Sequence, residues 1–413
     1  MSAKTSHKWA FAARFRRHAF GWRSQPAITR IKEAVSEIRK VARTDPMLAA
    51  EGAILLLERL SPALEQVDSS SGAIGSAVNH AIRDIVPIIE HAPADAEMRD
   101  KWLDRLWEAV QNDDIPYLEI LTDFWGELCA APACASKWAD NLIGTVRLAW
   151  SPDPGLRGYF KGTTACLSAL LRAGWNQEIL ELLELAPHKF WHDRQWGVKA
   201  LVALGKKAQA LQYAEASRGL NDSPIAIARA CEEILLSCGV AEEAYERYAI
   251  DANQKTTYLA TFRAIAAKYP HKTAREILSD LVAETPGAEG KWFAAAKDAG
   301  LYHEAIELAN RTPCDPKTLI RAARDMVEAE PQFAVEAGMA ALRWLVSGYG
   351  YEITGLDVWA AYRHTMSAAE RAGCKEQAFE RVRRLVEGER QADRFVSKIL
   401  GSELGLNPPR ERS

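Results

Sequence analysis

Apolar residues recur along this chain at spacings of three and four, the period of an α-helix that buries one side. A clear example is the stripe Ile28, Ile31, Val35, Ile38 and Ala42. Asp45 and Pro46 follow it, a capping residue and a first-turn residue for the next apolar run. Ala and Leu dominate the apolar content, and runs of Val, Ile or Thr are few. The pattern predicts an all-α protein.

A second pattern has a longer period. A helix, a glycine and a second helix recur about every 30 to 35 residues in the later part of the chain. The glycines are Gly174, Gly205, Gly239, Gly300 and Gly373. Each is followed five positions later by a small or aliphatic residue: Ile179, Ala210, Ala244, Ala305 and Ala378. Glycine adopts the left-handed conformation that ends a helix at little cost in free energy. This recurring unit therefore predicts stacked pairs of antiparallel helices, an α-solenoid.

The segment "KWFAAAKDAGLYHEAIELANRTP" (291–313) resembles a tetratricopeptide hairpin. Gly300, Tyr302 and Ala305 match that family's Gly-x-Tyr-x-x-Ala turn. The resemblance implies a right-handed solenoid. Pro187 and Pro313 come about one helical turn earlier than the family's terminal proline, so these are shortened repeats, and the family's peptide-clamp residues are not carried over to numbered positions.

The segment "DSSSGAIGSAV" (68–78) resembles an uncharacterised bacterial group of helical-repeat proteins, some similar to helical regions beside SWIM-type zinc fingers. The zinc finger's Cys-x-Cys and Cys-x-His pairs do not occur in this sequence. The resemblance therefore implies a helical fold without the zinc finger or its DNA binding.

Breaks in these patterns predict four regions. They are basic aromatic helices at 1–43, an N-terminal helical domain at 44–150, tetratricopeptide-like repeats at 151–388, and a helix end with a polar tail at 389–413. The clearest break is "SPDPGLRG" at 151–158, which is rich in turn-forming residues. No window of the chain approaches 18 uninterrupted apolar residues, so we expect no transmembrane segment.

Charge separates the first region from the rest. Residues 1–43 hold eleven Lys or Arg and two acids, a formal charge of +9, which leaves −12 for the remainder of a chain whose net charge is −3. As a helix, "KWAFAARFRRHAFGWR" (8–23) would present Phe11, Phe15, Ala19 and Trp22 as one apolar stripe.

Three interpretations of this region stay open. In the first, the helix docks on the acidic body through Phe11, Phe15 and Trp22, with its arginines, Arg14, Arg16, Arg17 and Arg23, facing acids or solvent. In the second, the segment is an exposed arm that binds nucleic acid or an anionic surface. In the third, it is a cleaved transit peptide, since such peptides are rich in arginine and poor in acids.

Candidate catalytic and metal-binding chemistry is sparse. His188 and His192 are four residues apart, but Lys189 stands where a metalloprotease helix has its glutamate, so we interpret both histidines as structural. The seven cysteines, which contain no Cys-x-x-Cys pair, are interpreted as reduced thiols in a cytoplasmic protein. We expect no metal, no cofactor and no enzymatic activity.

Two features predict binding. Basic residues recur in the first helix of successive repeats, where they would line a concave face: Arg194, Arg229, Arg263, Lys291 and Arg363. The glycine- and aromatic-rich segment 344–362, with Tyr349 and Tyr351, interrupts the helical pattern as a candidate binding loop. The leading hypothesis is a non-enzymatic scaffold that binds a protein partner on the concave surface; the alternative is nucleic-acid or anionic-surface binding through 1–43.

Overall fold

The computed structural model describes residues 7–219, 223–389 and 394–406, and every regular element in those ranges is a helix. The prediction of an all-α protein is confirmed. The chain forms two compact units, Met1–Cys238 and Gly239–Ser413. The turn-rich segment 151–158 lies inside the first unit as an irregular connection between two helices.

The described part of the first unit contains eleven α-helices and one 3-10 helix (Glu119–Phe124). The α-helices are α1 (Ser24–Ala42), α2 (Pro46–Leu64), α3 (Ala73–Glu90), α4 (Ala96–Gln111), α5 (Trp125–Cys129), α6 (Pro132–Ala149), α7 (Thr163–Ala173), α8 (Asn176–Glu184), α9 (Trp191–Ala203), α10 (Lys207–Glu215) and α11 (Pro224–Ser237).

The described part of the second unit contains ten α-helices and a 3-10 helix (Glu289–Trp292). The α-helices are α12 (Ala241–Ala252), α13 (Tyr258–Lys268), α14 (Ala274–Ala283), α15 (Phe293–Asp298), α16 (Tyr302–Arg311), α17 (Pro316–Asp325), α18 (Pro331–Val346), α19 (Gly355–Arg371), α20 (Lys375–Glu387) and α21 (Phe395–Leu400). In the described ranges of both units, no helix is long and apolar enough to cross a membrane.

Neighbouring helices pack in pairs. In the first unit α1 contacts α2, α6 contacts α7, and α9 contacts α10. Alternate helices also contact each other, in the series α1, α3, α5, α7, α9 and α11. In the second unit α18 packs on both α17 and α19, and α16 also contacts α18. Each helix therefore buries its apolar stripe against elements close to it in sequence.

The glycine-ended helices are confirmed. Gly174, Gly205, Gly239, Gly300 and Gly373 all have φ between 69° and 79°, in the left-handed region. The five residues placed five positions after them are all buried: Ile179, Ala210, Ala244, Ala305 and Ala378. In the pairs α7–α8, α9–α10, α15–α16 and α19–α20, a small or aliphatic side chain at this position lets the second helix pack against the first.

The first long helices also follow the sequence pattern. The α1 stripe is buried at Ile28, Ile31, Val35 and Ile38. The side chain of Asp45 accepts a hydrogen bond of 2.9 Å from the backbone N–H of Leu48, and Pro46 is the first residue of α2. The predicted cap and first turn are therefore confirmed.

The predicted helix over 8–23 is wrong. This segment is a series of turns, and the first helix begins at Ser24. The backbone N–H groups of Ala10 and Phe11 donate to the carboxylate of Glu37 on α1, at 2.8 and 3.2 Å, in place of helical carbonyls. His18 has a φ of 56°, which redirects the chain and ends any helical continuation.

The aromatic residues of this segment are nonetheless docked. Trp9, Phe11, Phe15 and Phe20 are buried in the core of the first unit, and the last three form edge-to-face contacts at 5.4 to 6.3 Å between ring centroids. Trp22, predicted as an anchor, is 72% exposed, so that prediction is wrong. Because the chain turns at His18, Phe20 occupies the buried position that a helical stripe assigns to Trp22.

The segment 344–362 is more helical than its glycines suggest. Helix α18 continues to Val346 and α19 begins at Gly355, so the irregular part is only 347–354. Within it, the ring of Tyr349 packs edge-on against Trp344 with 5.1 Å between centroids. Tyr351 is 81% exposed and is the more accessible aromatic of this loop.

Candidate functional site

A groove of about 700 Å³ lies in the first unit, between α9 and α11 with α7 at one end. Its walls are mainly apolar, and its charged residues are Lys199, Arg229 and Glu233. The apolar lining consists of Leu171, Trp191, Val198, Val202, Ala203, Ala226, Ala230 and Ile234. An apolar concavity with a few charged groups is the usual composition of a ligand-binding site.

Lys199 is the most unusual charged group of this groove. It projects from α9 after Trp196, and its ammonium nitrogen lies 4.0 Å from the centre of the Trp196 ring. Desolvation lowers the pKa of Lys199 from its usual range, while the carboxylates of Glu127, Asp123 and Glu233 oppose that shift. The ring attracts the ammonium through a cation–π interaction.

Two half-buried carboxyl groups approach Lys199 from neighbouring elements. Asp123 lies in the 3-10 helix and Glu127 in α5. Burial raises the pKa of both groups; for Asp123 the positive charges of His192 and Lys199 oppose the shift, and for Glu127 Lys199 does so. Asp123 and Glu127 do not line the groove, but their charges act on Lys199, which does.

The backbone around these carboxyl groups is fixed by close packing of α5 on α7. The Ser168 hydroxyl donates to the carbonyl of Asp123 at 3.0 Å and accepts from the N–H of Gly126 at 2.9 Å. A Cβ at Gly126 would lie 2.5 Å from the carbonyl oxygen of Ser168, so only glycine permits this approach. The 3-10 turn thus presents Asp123 at a defined position.

His192 lies at the start of α9, beside the same carboxyl group. Its Nε2 atom is 2.9 Å from the buried hydroxyl of Thr164 on α7. His188 precedes the first residue of α9, Trp191, and its ring packs 5.1 Å from that of Phe190, so the two histidines do not share a helix. Among the residues that the structure describes, no group of three His, Cys, Asp or Glu side chains is placed to hold a metal.

Two of the predicted basic residues, Arg194 and Arg229, lie in the first unit, and only one of them lines the groove. Arg229 on α11 lines the groove. Arg194 on α9 donates to the hydroxyl of Ser217 at 2.6 Å, and its guanidinium lies 4.0 Å from the centre of the Tyr213 ring. Arg194 therefore belongs to the packing of α9 on α10 and does not line the groove.

In the second unit, two of the three predicted basic residues have intramolecular partners. Arg263 pairs with Asp298, and the ammonium of Lys291 lies 5.6 Å from the centre of the Tyr258 ring. Arg363 is exposed on α19, beside His364, whose pKa is lowered by burial and by the nearby arginines Arg324 and Arg363.

Of the four predicted N-terminal arginines, two have ion-pair partners and two are exposed. Arg14 pairs with Glu33 at 2.9 Å, and Arg17 pairs with Glu65 at 3.2 Å. Arg16 and Arg23 are exposed.

A second concavity in this unit, of about 740 Å³, lies between α1 and α3. It is lined by Lys32, Arg39, Lys40 and Arg43 and by one acid, Asp84, which pairs with Arg39 at 2.7 Å. We refer to it as the basic groove.

No protein-family model matches the chain, and the search of curated proteins gives no significant match. The tetratricopeptide resemblance therefore rests on the turn residues themselves. Lys199, Asp123 and Glu127 were not predicted from the sequence, because they come from three elements with no common motif. One local signal was present: Lys199 interrupts the apolar run "WGVKALVAL", in which Trp196, Gly197, Val198, Ala200 and Leu201 are buried.

Proposed function

We propose that this protein is a non-enzymatic interaction scaffold that holds a peptide segment of a partner protein in the α9–α11 groove. In this proposal the helix pairs form a right-handed, tetratricopeptide-like solenoid whose first helices carry the groove. The stacking of alternate helices from α1 to α11 supports that arrangement. Seven free cysteines in the chain support a cytoplasmic location.

The observation that carries the proposal is the apolar lining of the groove beside Lys199, whose ammonium nitrogen lies 4.0 Å from the centre of the Trp196 ring. Desolvation lowers the pKa of Lys199, against the carboxylates of Glu127, Asp123 and Glu233. Two of the three charged residues of the groove, Lys199 and Arg229, are cations, and Val198, Val202 and Ile234 offer an apolar surface beside them. A segment with aliphatic side chains next to an acidic residue complements both features.

The partner's carboxylate would lie beside Lys199 and Arg229. Binding would raise the pKa of Lys199 again, because an opposite charge at short range favours the ammonium. The aliphatic side chains would displace water from the walls of the groove, where each fully buried one contributes about 1.5–3 kcal/mol.

The test is selection of peptides from a displayed random library on the full-length protein, followed by calorimetry with the enriched peptides. Ala203→Phe adds a large side chain to an exposed residue that lines the groove, whereas Ala208→Phe makes the same change at an exposed residue of α10 outside it. We expect enriched peptides to contain an acid beside aliphatic residues, and Ala203→Phe to weaken binding at least about tenfold, about 1.4 kcal/mol. Equal binding by the two variants, or no enrichment, overturns the proposal.

The basic groove supports a second candidate function, binding of nucleic acid or an anionic surface. It lies partly within the predicted 1–43 region, and four of its residues are Lys or Arg. Removing 1–43 is a poor test, because Ile31 and Ile38 of α1 are fully buried and the deletion would open the core. Charge reversal at Lys40 and Arg43, compared with reversal at Arg16 and Arg23, leaves these core residues in place.

Salt dependence decides this second candidate. If the basic groove binds polyanions, affinity for DNA, RNA or anionic vesicles falls steeply with salt, and reversal at Lys40 and Arg43 weakens it more than reversal at Arg16 and Arg23. A larger effect of Arg16 and Arg23 assigns the binding to the N-terminal segment instead. Absence of salt-dependent binding excludes both.

A further inference from the structure

Two cysteines meet at the turn between α5 and α6. Cys129 is the last residue of α5, and Cys134 lies in the first turn of α6. Each thiol shifts the pKa of the other. The connection is tight: Ala130 has a φ of 58°, and the N–H of Ala131 donates to the carbonyl of Cys129 at 2.6 Å. The fold therefore holds the two thiols close together.

The two thiols have different access to solvent. Cys129 is 1% exposed, whereas Cys134 is only partly buried. An oxidant in solution therefore reaches Cys134 first, and the protected Cys129 lies directly behind it. This is the arrangement of an attacking and a resolving cysteine.

The Cys129 thiol is the main cause of a lowered pKa at Cys134. The cations of Arg99 and Lys137 add to the effect, against burial and the carboxylate of Asp100. The Cys134 sulfur lies 3.9 Å from Asp100 Oδ1, and Lys137 is itself paired with Asp100 at 2.7 Å. The Cys134 thiol and burial raise the pKa of Cys129.

We propose that Cys129 and Cys134 are a redox-active dithiol that a peroxide converts reversibly into an intramolecular disulfide. The Cys134 thiolate attacks one peroxide oxygen, the O–O bond breaks, and the leaving hydroxide takes a proton to become water. Cys134 is then a sulfenic acid. The sulfur of Cys129 attacks the sulfenic sulfur, the S–S bond forms, and a second water leaves with the Cys129 proton. Two thiols are oxidised, and one peroxide is reduced to two waters.

The experiment is peptide mass spectrometry of the full chain before and after treatment with hydrogen peroxide. Trypsin releases residues 106–137 as one peptide that contains both cysteines and no other. We expect this peptide to lose two hydrogen atoms in mass on oxidation and to regain them with dithiothreitol. Cys238, which is exposed, serves as an internal comparison and should be oxidised more slowly.

Two variants separate the roles. In Cys129→Ala, Cys134 should stop at the sulfenic acid, which dimedone traps. In Cys134→Ser, the buried Cys129 should resist oxidation, and because Cys134 is only partly buried this variant should keep the helical circular dichroism and thermal transition of the parent. The proposal is overturned if the parent peptide forms no disulfide, or if Cys134 reacts no faster than Cys238.

Discussion

Arg99 is the buried cation whose removal we expect to destabilise the first unit most. It is 5% exposed and lies on α4, where its guanidinium donates to four backbone carbonyls. Those of Ile89 and Ala92 accept at 2.6 and 2.9 Å, and those of Glu90 and Leu128 at 3.3 and 3.4 Å. One side chain thus satisfies the carboxyl-terminal carbonyls of α3 and reaches α5.

The magnitude follows from the two shorter bonds. Arg99→Met fills most of the same volume but removes the charged donor of both carbonyls, which keep only the backbone N–H groups of Ala92 and Ala94 as donors. A hydrogen bond to a charged donor contributes about 1.5–3 kcal/mol, so the loss should be about 3–5 kcal/mol of the free energy of unfolding. In a unit of this size that lowers the melting temperature by roughly 10 °C.

The assay is calorimetric and urea-induced unfolding of the full chain, with tryptophan fluorescence as a second probe. Trp102 and Trp125 are fully buried in the first unit and report on it. Lys101→Met, on the same helix at an exposed position with Glu97 as its ion-pair partner, is the matched control and should change little. Equal stability of the Arg99 and Lys101 variants would contradict this prediction, because the four carbonyl contacts would then contribute no net free energy.

Three further predictions concern the same fold. Gly52→Ala should cost about 1–3 kcal/mol of stability by overpacking and expose the indole of Trp9, because the new Cβ would lie 2.2 Å from that ring; a fluorescence shift to longer wavelength measures it. Gly300→Ala should cost about 1–2 kcal/mol in thermal unfolding, since its φ is 73°, whereas Gly144→Ala, within α6 and with no neighbour inside 4 Å, should stabilise the chain. Burial raises the pKa of Asp113, so its contribution to stability is greatest below the ordinary aspartate pKa and is lost as pH rises through the raised one; Asp113→Asn should flatten that part of the stability–pH curve.

The sequence predicted the parts of the fold that depend on local chemistry. The glycine-ended helices required no long-range information, since a left-handed residue such as Gly300 and a buried small residue such as Ala305 are properties of one hairpin. The Asp45 cap and the α1 stripe are local in the same sense. These features are correct because the physics that determines them acts within a few residues.

The N-terminal segment shows where prediction from local sequence patterns fails. The spacing of Phe11 and Phe15 fits a helix, but the backbone N–H groups there bind Glu37, which is 26 residues from Phe11 in sequence. Arg59 adds a hydrogen bond of 2.5 Å to the carbonyl of Ala12 from α2. Tertiary partners thus replaced the helical hydrogen bonds, and no local pattern indicates them.

The candidate site was missed for a related reason. Asp123 and Glu127 act on the pKa of Lys199 although the three residues lie on different elements, the 3-10 helix, α5 and α9. In contrast, Arg194 and Arg263 fitted a regular sequence spacing, and each has an intramolecular partner. A regular spacing of charges predicts that they share a helix face. It does not predict which of these charges already has a partner within the fold.

Intramolecular partners also change the interpretation of the charge imbalance between 1–43 and the rest of the chain. Part of that excess is matched within the fold, since Arg17 and Arg39 pair with Glu65 and Asp84 of the remainder. Phe11, Phe15 and Phe20 are buried and cannot stack on bases without opening the core. The exposed groups that a polyanion could contact are Lys40 at the end of α1 and Arg43 just after it, both in the basic groove, together with Arg16, Trp22 and Arg23 of the N-terminal segment.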